Sequence, residues 1–349
     1  MGSKRKKVLV VATSRKTKGG ITSVVKAHES GEQWEKFRCK WIETHIDKNL
    51  LYKLIYLIKA LVQFNLLIPF YNIVHIHVAN DSSVKRKMLF FNLSIFYKKK
   101  IIIHFHPPGP DVLLDKKIKP LYLKLFKKSN QVLVLSEQWK RWLDELMGIR
   151  DKVQVLYNPC PIVNNNLDEN KQNYILFAGY LIERKGYIDF IKAFSEIANK
   201  YPQWDIVLAG TGEIDSGKNL SRQLGIENQV KFLGWIDGRK KEQVFKSASI
   251  FCLPSYGEGF PMAVLDAWAY GLPVITTPVG GLPDIIKDNF NGMLFPPGDI
   301  NELSKKMDVM MSNKLVRQRI AKQSKKMAST TFNAETINKQ LGEIYLKLI

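Results

Sequence analysis

The sequence has few of the residue patterns that mark metal or redox sites. Its three cysteines, Cys39, Cys160 and Cys252, are far apart and form no CxxC pair, so we expect reduced thiols and neither a zinc cluster nor a dithiol motif. No Asp-x-Asp triplet, P-loop or Ser-His-Asp set occurs in the 349 residues, and the histidines show no metal-ligand spacing. These absences predict a protein that requires no metal or other cofactor.

Acidic residues are scarce in the first part of the chain. Residues 1–160 hold 30 Lys and Arg against 12 Asp and Glu, a net charge of +18, whereas residues 161–349 hold 23 against 20, a net charge of +3. This asymmetry indicates that only the first part meets an extended anionic surface. A nucleic acid is one candidate, but no helix-turn-helix or RNA-recognition signature accompanies the charge. We therefore predict no nucleic-acid partner and favour an anionic membrane surface.

One long apolar run, Leu50–Phe70, lies among these charges. Lys53 and Lys59 interrupt it and Pro69 ends it, and two lysines inside a membrane-spanning helix would be costly. Two interpretations stay open: a buried helix of the first domain, or an interfacial helix that lies on a membrane. Met1–Lys7 leads from a basic cluster directly into a strand, so no signal peptide is predicted. We expect a cytoplasmic protein attached peripherally to the inner face of the cell membrane.

Short apolar strands alternate with helical stretches in two successive arrays. Val8–Thr13, Ile73–Val78 and Lys100–Phe105 are strands of the first array, and Tyr174–Ala178 and Ile250–Leu253 are strands of the second. Continuous apolar strands separated by helices are typical of parallel sheets that are covered on both faces. The sequence therefore predicts an α/β protein with two Rossmann-like, doubly wound domains facing a cleft.

A segment rich in proline and asparagine, Asn158–Asn166, is typical of a linker between the two arrays. We predict an N-terminal Rossmann-like domain over residues 1–160 and a C-terminal Rossmann-like domain over residues 161–333. Residues 334–349 form one more predicted helix, which no strand follows, and this helix could cross back to the N-terminal domain.

The segment Pro254–Pro283 carries the strongest chemical signal. A strand leads into the turn Gly257–Phe260 and then into a helix, with Pro261 predicted at the first helical position. A helix N-terminus that follows glycines offers N–H groups and a partial positive charge to a phosphate. Glu258 precedes this terminus and Asp266 follows it, on the order of 10 Å apart, so they could hold opposite ends of a nucleotide-sugar. Spacing alone leaves open that Asp266 is a solvated helix residue and Glu258 a turn residue.

The same segment resembles the C-terminal motif of the family 4 retaining glycosyltransferases, which have the GT-B fold. The family motif has two glutamates separated by seven residues, within a phrase that begins Pro-Ser and contains Glu-Gly-Phe-Pro. The chain supplies this phrase with Glu258 as the first acid and Asp266, one methylene shorter, as the second. Downstream, Gly280–Asp284 also fits the family pattern.

A second phrase, Phe177–Gly186, resembles the family's Gly-Arg-Leu…Lys-Gly segment, in which Arg and Lys hold the donor diphosphate. Lys185 matches the family lysine, whereas Tyr180 stands at the arginine position. The neighbouring Arg184 could supply the missing charge. Without a metal motif, neutralisation of the diphosphate would depend on these two cations and the helix N-terminus.

The resemblance also implies roles for residues in the first part of the chain. Gly19 and Gly20 match a glycine pair that lets the backbone approach the donor or acceptor, and His106 matches a histidine that faces the donor sugar. His75 and His77 are interpreted as structural or acceptor-side residues, and a core or capping role stays open for each of these positions. The predicted catalytic residues are Glu258, His106 and Lys185, and the predicted donor-binding residues are Gly19, Gly20, Arg184, Lys185, Gly259, Phe260, Pro261 and Asp266.

The function implied by the resemblance is transfer of a hexose with retention of configuration. The donor would be a nucleotide-sugar, a UDP- or GDP-sugar, and the acceptor a sugar or lipid-linked sugar in polysaccharide or glycolipid assembly. Two alternatives remain: a GT-B nucleotide-sugar epimerase or non-catalytic nucleotide-sugar binder, and a basic nucleic-acid-binding protein.

Overall fold

The computed structural model describes residues 6–163 and 171–349. Contacts divide them into two units: the described residues up to Pro159 together with Ala334–Ile349, and Cys160–Asn333. Most of the basic N-terminal cluster and residues 164–166 of the predicted linker lie outside the described residues. The three cysteines are free thiols.

The first unit contains a six-stranded parallel sheet with the strand order β2-β1-β3-β4-β5-β6. Its strands are β1 Val8–Ala12, β2 Lys40–Glu43, β3 Ile73–Val78, β4 Lys100–Phe105, β5 Gln131–Val134 and β6 Val153–Val155. Its helices are α1 Gly20–Glu29, α2 Glu32–Lys36, α3 Leu50–Leu67, α4 Asp81–Phe96, α5 Lys119–Lys128, α6 Glu137–Met147 and α13 Ala334–Lys347. Every residue of β1 and β3 is buried, because helices cover both faces of a parallel sheet.

The second unit repeats this architecture with the strand order β12-β11-β10-β7-β8-β9, again all parallel. Its strands are β7 Tyr174–Ala178, β8 Asp205–Ala209, β9 Val230–Gly234, β10 Ile250–Leu253, β11 Val274–Thr276 and β12 Met293–Leu294. Its helices are α7 Tyr187–Ser195, α8 Ile214–Gln223, α9 Gly238–Ser247, α10 Met262–Ala269, α11 Ile300–Ser312 and α12 Lys314–Ser329. The chain reverses its direction of winding between β7 and β10, and such a reversal is the point at which doubly wound sheets bind ligands.

Helix α13 completes the core of the first unit. Its residues Ile337, Leu341 and Ile344 are buried in the same cluster as strand residues of β1. The ring of Tyr345 packs edge-on against Phe37, with ring centroids 5.3 Å apart. The helix is therefore a structural part of the unit that the chain begins.

Helix α3 is largely exposed. The interpretation of the apolar run Leu50–Phe70 as a buried helix of the first domain is therefore wrong. Among the described residues, it is the one helix long and apolar enough to cross a membrane by length and composition, with 17% of that stretch buried. One face packs inward through Ala60 and Phe64, whose ring meets Phe90 of α4 at 5.1 Å. The opposite face exposes residues at helical spacing, each 48–69% exposed, which we call the α3 stripe: Leu51, Ile55, Ile58, Val62 and Leu66.

Helix α4 buries a lysine side chain in the first unit. The Lys87 side chain is fully buried, and its Nζ donates a hydrogen bond to Thr44 Oγ1. Desolvation, reinforced by Arg86, lowers the pKa of Lys87 well below its ordinary value. Since the unfolded chain binds this proton more tightly, the contribution of Lys87 to stability becomes more favourable as pH rises toward 10.5.

We expect Lys87→Met to raise the free energy of unfolding at pH 7 by about 1–3 kcal/mol, because methionine fills the space without desolvating a charge. The gain should shrink at pH 10, because the unfolded chain also begins to release the Lys87 proton there, so keeping the buried amine neutral costs the folded state less. Urea denaturation at the two pH values measures both effects. Lys85→Met, an exposed position on the same helix, is the control and should change little. A less stable Lys87→Met protein would show that the amine makes a necessary polar contact.

Candidate functional site

Two loops meet at the carboxyl edge of the second sheet, beside the reversal between β7 and β10. One loop follows β7 and contains the short helical turn Glu183–Lys185, and the other follows β10 and contains Ser255 and Glu258. Neighbouring parallel strands bring their carboxyl ends to one edge of the sheet. Lys185 and Glu258, 73 positions apart in sequence, therefore become neighbours.

Glu258 is the centre of this arrangement. Its side chain is buried, and its Oε1 accepts hydrogen bonds from Lys185 Nζ at 2.5 Å and from Ser255 Oγ at 2.7 Å. The Lys185 side chain is 16% exposed. A buried carboxylate requires such partners, because its desolvation would otherwise be very costly. Both hydrogen bonds go to Oε1, so the contacts with Lys185 and Ser255 do not involve Oε2.

Backbone contacts hold the two loops together beside Glu258. Arg184 donates from its guanidinium to the Gly257 carbonyl, and the Arg184 carbonyl accepts from the Tyr256 N–H at 2.8 Å. Gly186 has a φ of +69°, and a Cβ there would lie 2.0 Å from the Pro254 carbonyl oxygen. Only glycine permits both this conformation and this close approach, so the Lys-Gly pair places the lysine against the second loop.

The turn that carries Glu258 leads into helix α10. Pro261 was predicted at the first helical position, but it is the N-cap, with φ −73° and ψ 117°, and the helix begins at Met262. The ring of proline fixes φ and leaves ψ free, so proline also suits a cap with extended ψ. Behind the turn, Gly280 has a φ of +59°, and a Cβ there would lie 2.0 Å from the Glu258 carbonyl oxygen. The Gly281 N–H donates to the Gly259 carbonyl at 3.0 Å.

Glu258, Lys185 and Ser255 form the Glu258 cluster, which does not include Asp266. Asp266 lies on α10, is 9% exposed, and its Oδ2 accepts from Lys241 Nζ of helix α9 at 2.6 Å. Lys241 was not among the residues predicted for the site. It belongs to a basic run in the first half of a helix, a pattern that is usually a solvated face.

Phe260, in the same turn as Glu258, is buried, whereas Gly19, Gly20 and His106 lie in the first unit. Gly19, with a φ of +141°, caps α1, and Gly20 is the first residue of that helix. His106 follows β4, is 8% exposed, and its Nε2 lies 2.9 Å from Nδ1 of His77. Burial lowers the pKa of His106 to about 3, so its ring is neutral at pH 7. The structure thus brings Arg184, Lys185 and Glu258 together and places the glycine pair and His106 in the other unit.

Comparisons with known proteins agree with this architecture. Residues 162–327, which include the Glu258 cluster, match the family model for group 1 glycosyl transferases. An uncharacterized glycosyltransferase of Methanocaldococcus jannaschii is 31% identical over 241 residues, covering 64% of this chain and 61% of that protein. A GalNAc-alpha-(1->4)-GalNAc-alpha-(1->3)-diNAcBac-PP-undecaprenol alpha-1,4-N-acetyl-D-galactosaminyltransferase of Campylobacter jejuni is 28% identical over 180 residues, covering 50% and 49%. The chain therefore spans less than two thirds of each of these two relatives.

The crystal structure of Anabaena HepE in complex with UDP-glucose resembles the chain over nearly its whole length. Its TM-score is 0.77 at 19% identity, and the alignment covers 98% of this chain and 99% of that one. The two parallel sheets with their flanking helices and this likeness show the two-domain α/β GT-B fold, as predicted.

Proposed function

We propose that this chain is a family 4 retaining glycosyltransferase that moves a hexose from a nucleotide-sugar to a hydroxyl of a sugar or lipid-linked sugar. The observation that carries the proposal is the buried Lys185–Glu258 pair, with Ser255, at the point where the second sheet reverses its winding. Doubly wound sheets bind their ligands at this point, and the pair lies within the segment that matches group 1 glycosyl transferases.

The second unit would bind the donor. Glu258 would accept hydrogen bonds from hydroxyls of the transferred sugar, and Lys185 would contact the diphosphate. Gly259, Phe260 and Pro261 would offer backbone beside the donor at the start of α10. The crystal structure of the GT-B neighbour HepE contains UDP-glucose, which supports a UDP-sugar over other donors.

Lys185 and Arg184 would replace a metal ion at the diphosphate. As the bond between the sugar C1 and the diphosphate oxygen breaks, negative charge grows on the leaving group, and fixed cations stabilise it most in the transition state. The acceptor oxygen would attack C1 on the face that the diphosphate leaves, and the departing phosphate oxygen would take the acceptor's proton. This order of steps retains the anomeric configuration of the sugar and requires no separate protein base.

Asp266 would bind the ribose hydroxyls at the far end of the donor. In the structure its carboxylate is paired with Lys241, so a ribose hydroxyl would share the carboxylate with that ammonium. Asp266 is one methylene shorter than the glutamate of the family motif, but the long Lys241 side chain still reaches it from α9.

The first unit would bind the acceptor. The family resemblance assigns its Gly19 and Gly20 to donor binding and its His106 to catalysis. The acceptor of the Campylobacter jejuni relative is, by its name, linked to undecaprenol through a diphosphate, which supports a lipid-linked acceptor. The α3 stripe and the net charge of +18 in residues 1–160 support attachment to an anionic membrane surface, where α3 would lie in the interface.

The experiment that tests the proposal is incubation with UDP-, GDP- and ADP-sugars, with and without lipid-linked acceptors. Release of nucleotide that depends on the acceptor, with an α-linked product from an α-linked donor by NMR, is the expected result. Conversion of the donor sugar without an acceptor would instead identify an epimerase. Binding without turnover across the panel would identify a nucleotide-sugar binder.

The membrane proposal predicts two components of vesicle binding. The protein should sediment with vesicles containing phosphatidylglycerol at low salt, and part of the binding should persist at high salt, because salt screens the lysines but not the burial of apolar side chains. Ile58→Glu or Val62→Glu should remove the salt-resistant part, weakening binding at least about tenfold, since burial of such a side chain contributes roughly 1.5–3 kcal/mol.

Leu315→Glu is the control, because Leu315 is an exposed apolar residue of the second unit, outside the α3 stripe. It should leave both components unchanged. Failure of the wild-type protein to bind vesicles at low salt would contradict membrane attachment and favour a soluble acceptor. Complete release at high salt would show that the α3 stripe does not insert.

A further inference from the structure

Five of the six histidines converge in the core of the first unit. His75 and His77 lie two residues apart on β3 and therefore on one face, and His104 of β4 is the register partner of His77. The ring centroids of His75 and His77 are 4.5 Å apart, and those of His77 and His104 are 4.8 Å apart. His28 reaches the group from α1, with its centroid 6.2 Å from that of His104.

The outer ring nitrogens of this cluster have well-defined partners. His28 Nδ1 lies 2.8 Å from Asn338 Oδ1 and His75 Nδ1 lies 2.7 Å from the Tyr345 hydroxyl, both on α13. His77 Nδ1 lies 2.9 Å from His106 Nε2. Asn338 Oδ1 can only accept, so His28 carries its proton on Nδ1 and presents a lone pair at Nε2.

The inner nitrogens have no hydrogen-bond partner among the residues that the structure describes. They are buried and comprise Nε2 of His28, His75 and His77 and both ring nitrogens of His104. A buried polar atom without a partner costs about 1–3 kcal/mol, so several together require an explanation. Rings oriented through Nδ1 by outer partners, with Nε2 left over, are the usual arrangement of metal-binding histidines.

We propose that His75, His77 and His104 bind a divalent transition-metal ion, with zinc the best fit to this donor set. One ligand atom from each residue lies within 4.8 Å of the other two. Zinc bonds of 2.0–2.1 Å in tetrahedral geometry place ligand atoms about 3.3 Å apart, so binding would rotate the rings inward by a modest amount. Imidazole nitrogens favour zinc, nickel or copper over magnesium or calcium.

His28 is the candidate fourth ligand, because its ring reaches the group from α1. The metal would join β3 to β4 and, through the contacts of the rings with Tyr345 and Asn338, would also link both strands to α13.

Sequence spacing predicted no metal, and this proposal departs from that prediction on the basis of the geometry of the cluster. The candidate ligands are a pair on one strand and a single residue on the next strand, 27 positions later, so their proximity depends on strand register. The proposal concerns the first unit and is independent of the donor site, so Glu258→Ala should leave metal content unchanged.

The test uses the full chain without a polyhistidine tag. After exposure to Zn²⁺ and dialysis against metal-free buffer, elemental analysis should find about one zinc per chain, and Co²⁺ should give the visible absorption of a tetrahedral nitrogen site. His104→Gln should lose the bound metal. His45→Gln, which changes the one histidine outside the cluster, should retain it. Absence of stoichiometric Zn²⁺ and Co²⁺ binding in the wild-type protein, or equal binding by His104→Gln, would overturn the proposal.

Tyr345→Phe tests the site without removing a ligand. Phenylalanine keeps the ring that packs against Phe37 and removes only the hydroxyl that orients His75. Zinc affinity should fall about 10–100-fold while the far-UV circular dichroism stays that of the wild type. This variant decides the question if His104→Gln does not fold, and unchanged zinc affinity in it would contradict the proposed orientation of the ligands.

Discussion

Glu258→Ala is expected to abolish sugar transfer, with kcat lowered at least about 100-fold, the scale seen when a fixed group that stabilises a transition state is removed. Glu258 Oε1 is held by Lys185 and Ser255, so the carboxylate is positioned before the donor arrives. Alanine removes the group that would hold the sugar hydroxyls and frees Lys185 to move. The measurement is the initial rate of nucleotide release with donor and acceptor present.

Glu258→Gln separates charge from shape. Glutamine can still accept hydrogen bonds from Lys185 and Ser255 through its side-chain oxygen, so this variant should stay folded and yet lose most of its activity. Glu227→Gln, an exposed position of the second unit, should behave like the wild-type protein. Near-normal turnover in a folded Glu258→Ala protein would refute the donor-site assignment.

Lys185→Ala is expected to lower turnover at least about tenfold and more than Arg184→Ala does. Lys185 directs its ammonium into the cluster, whereas the Arg184 guanidinium already donates to the Gly257 carbonyl. A cation that acts on the leaving group stabilises the transition state more than bound donor, so kcat should fall more than the donor KM rises.

Lys185→Met retains the apolar stem and should be as inactive as the alanine variant, which would assign the effect to the ammonium. Lys192→Ala, at an exposed position on α7, is the control and should be neutral. If Arg184→Ala were the worse enzyme, Arg184 would be the principal diphosphate contact, in place of the arginine that the family carries where this chain has Tyr180.

The sheets were predictable because their strands are continuous apolar runs. The limits predicted for strands β3, β4, β7 and β10 agree with the structure. Strand β2, Lys40–Glu43, was missed because it is a four-residue edge strand with two charged ends, a pattern that a short loop also shows. Edge strands often carry such charges, so composition conceals them.

Sequence patterns did not predict which residues far apart in the sequence lie close together in the fold. The Lys241–Asp266 pair and the histidine cluster depend on which strands and helices become neighbours. The exposure of α3 depends on packing in the same way: its apolar residues extend around the helix, so periodicity did not distinguish a buried face from a free one.

The packing of α13 into the first unit has a consequence for synthesis on the ribosome. The core around β1 includes Ile337, Leu341 and Ile344, which are translated after the whole of Cys160–Asn333. At about 5–20 residues per second, the nascent first unit lacks α13 for roughly 10–35 s, so the core residues that α13 covers stay exposed. The second unit has its full sequence before α13 leaves the ribosome. The part of the chain that is made first is thus the part whose core is completed last.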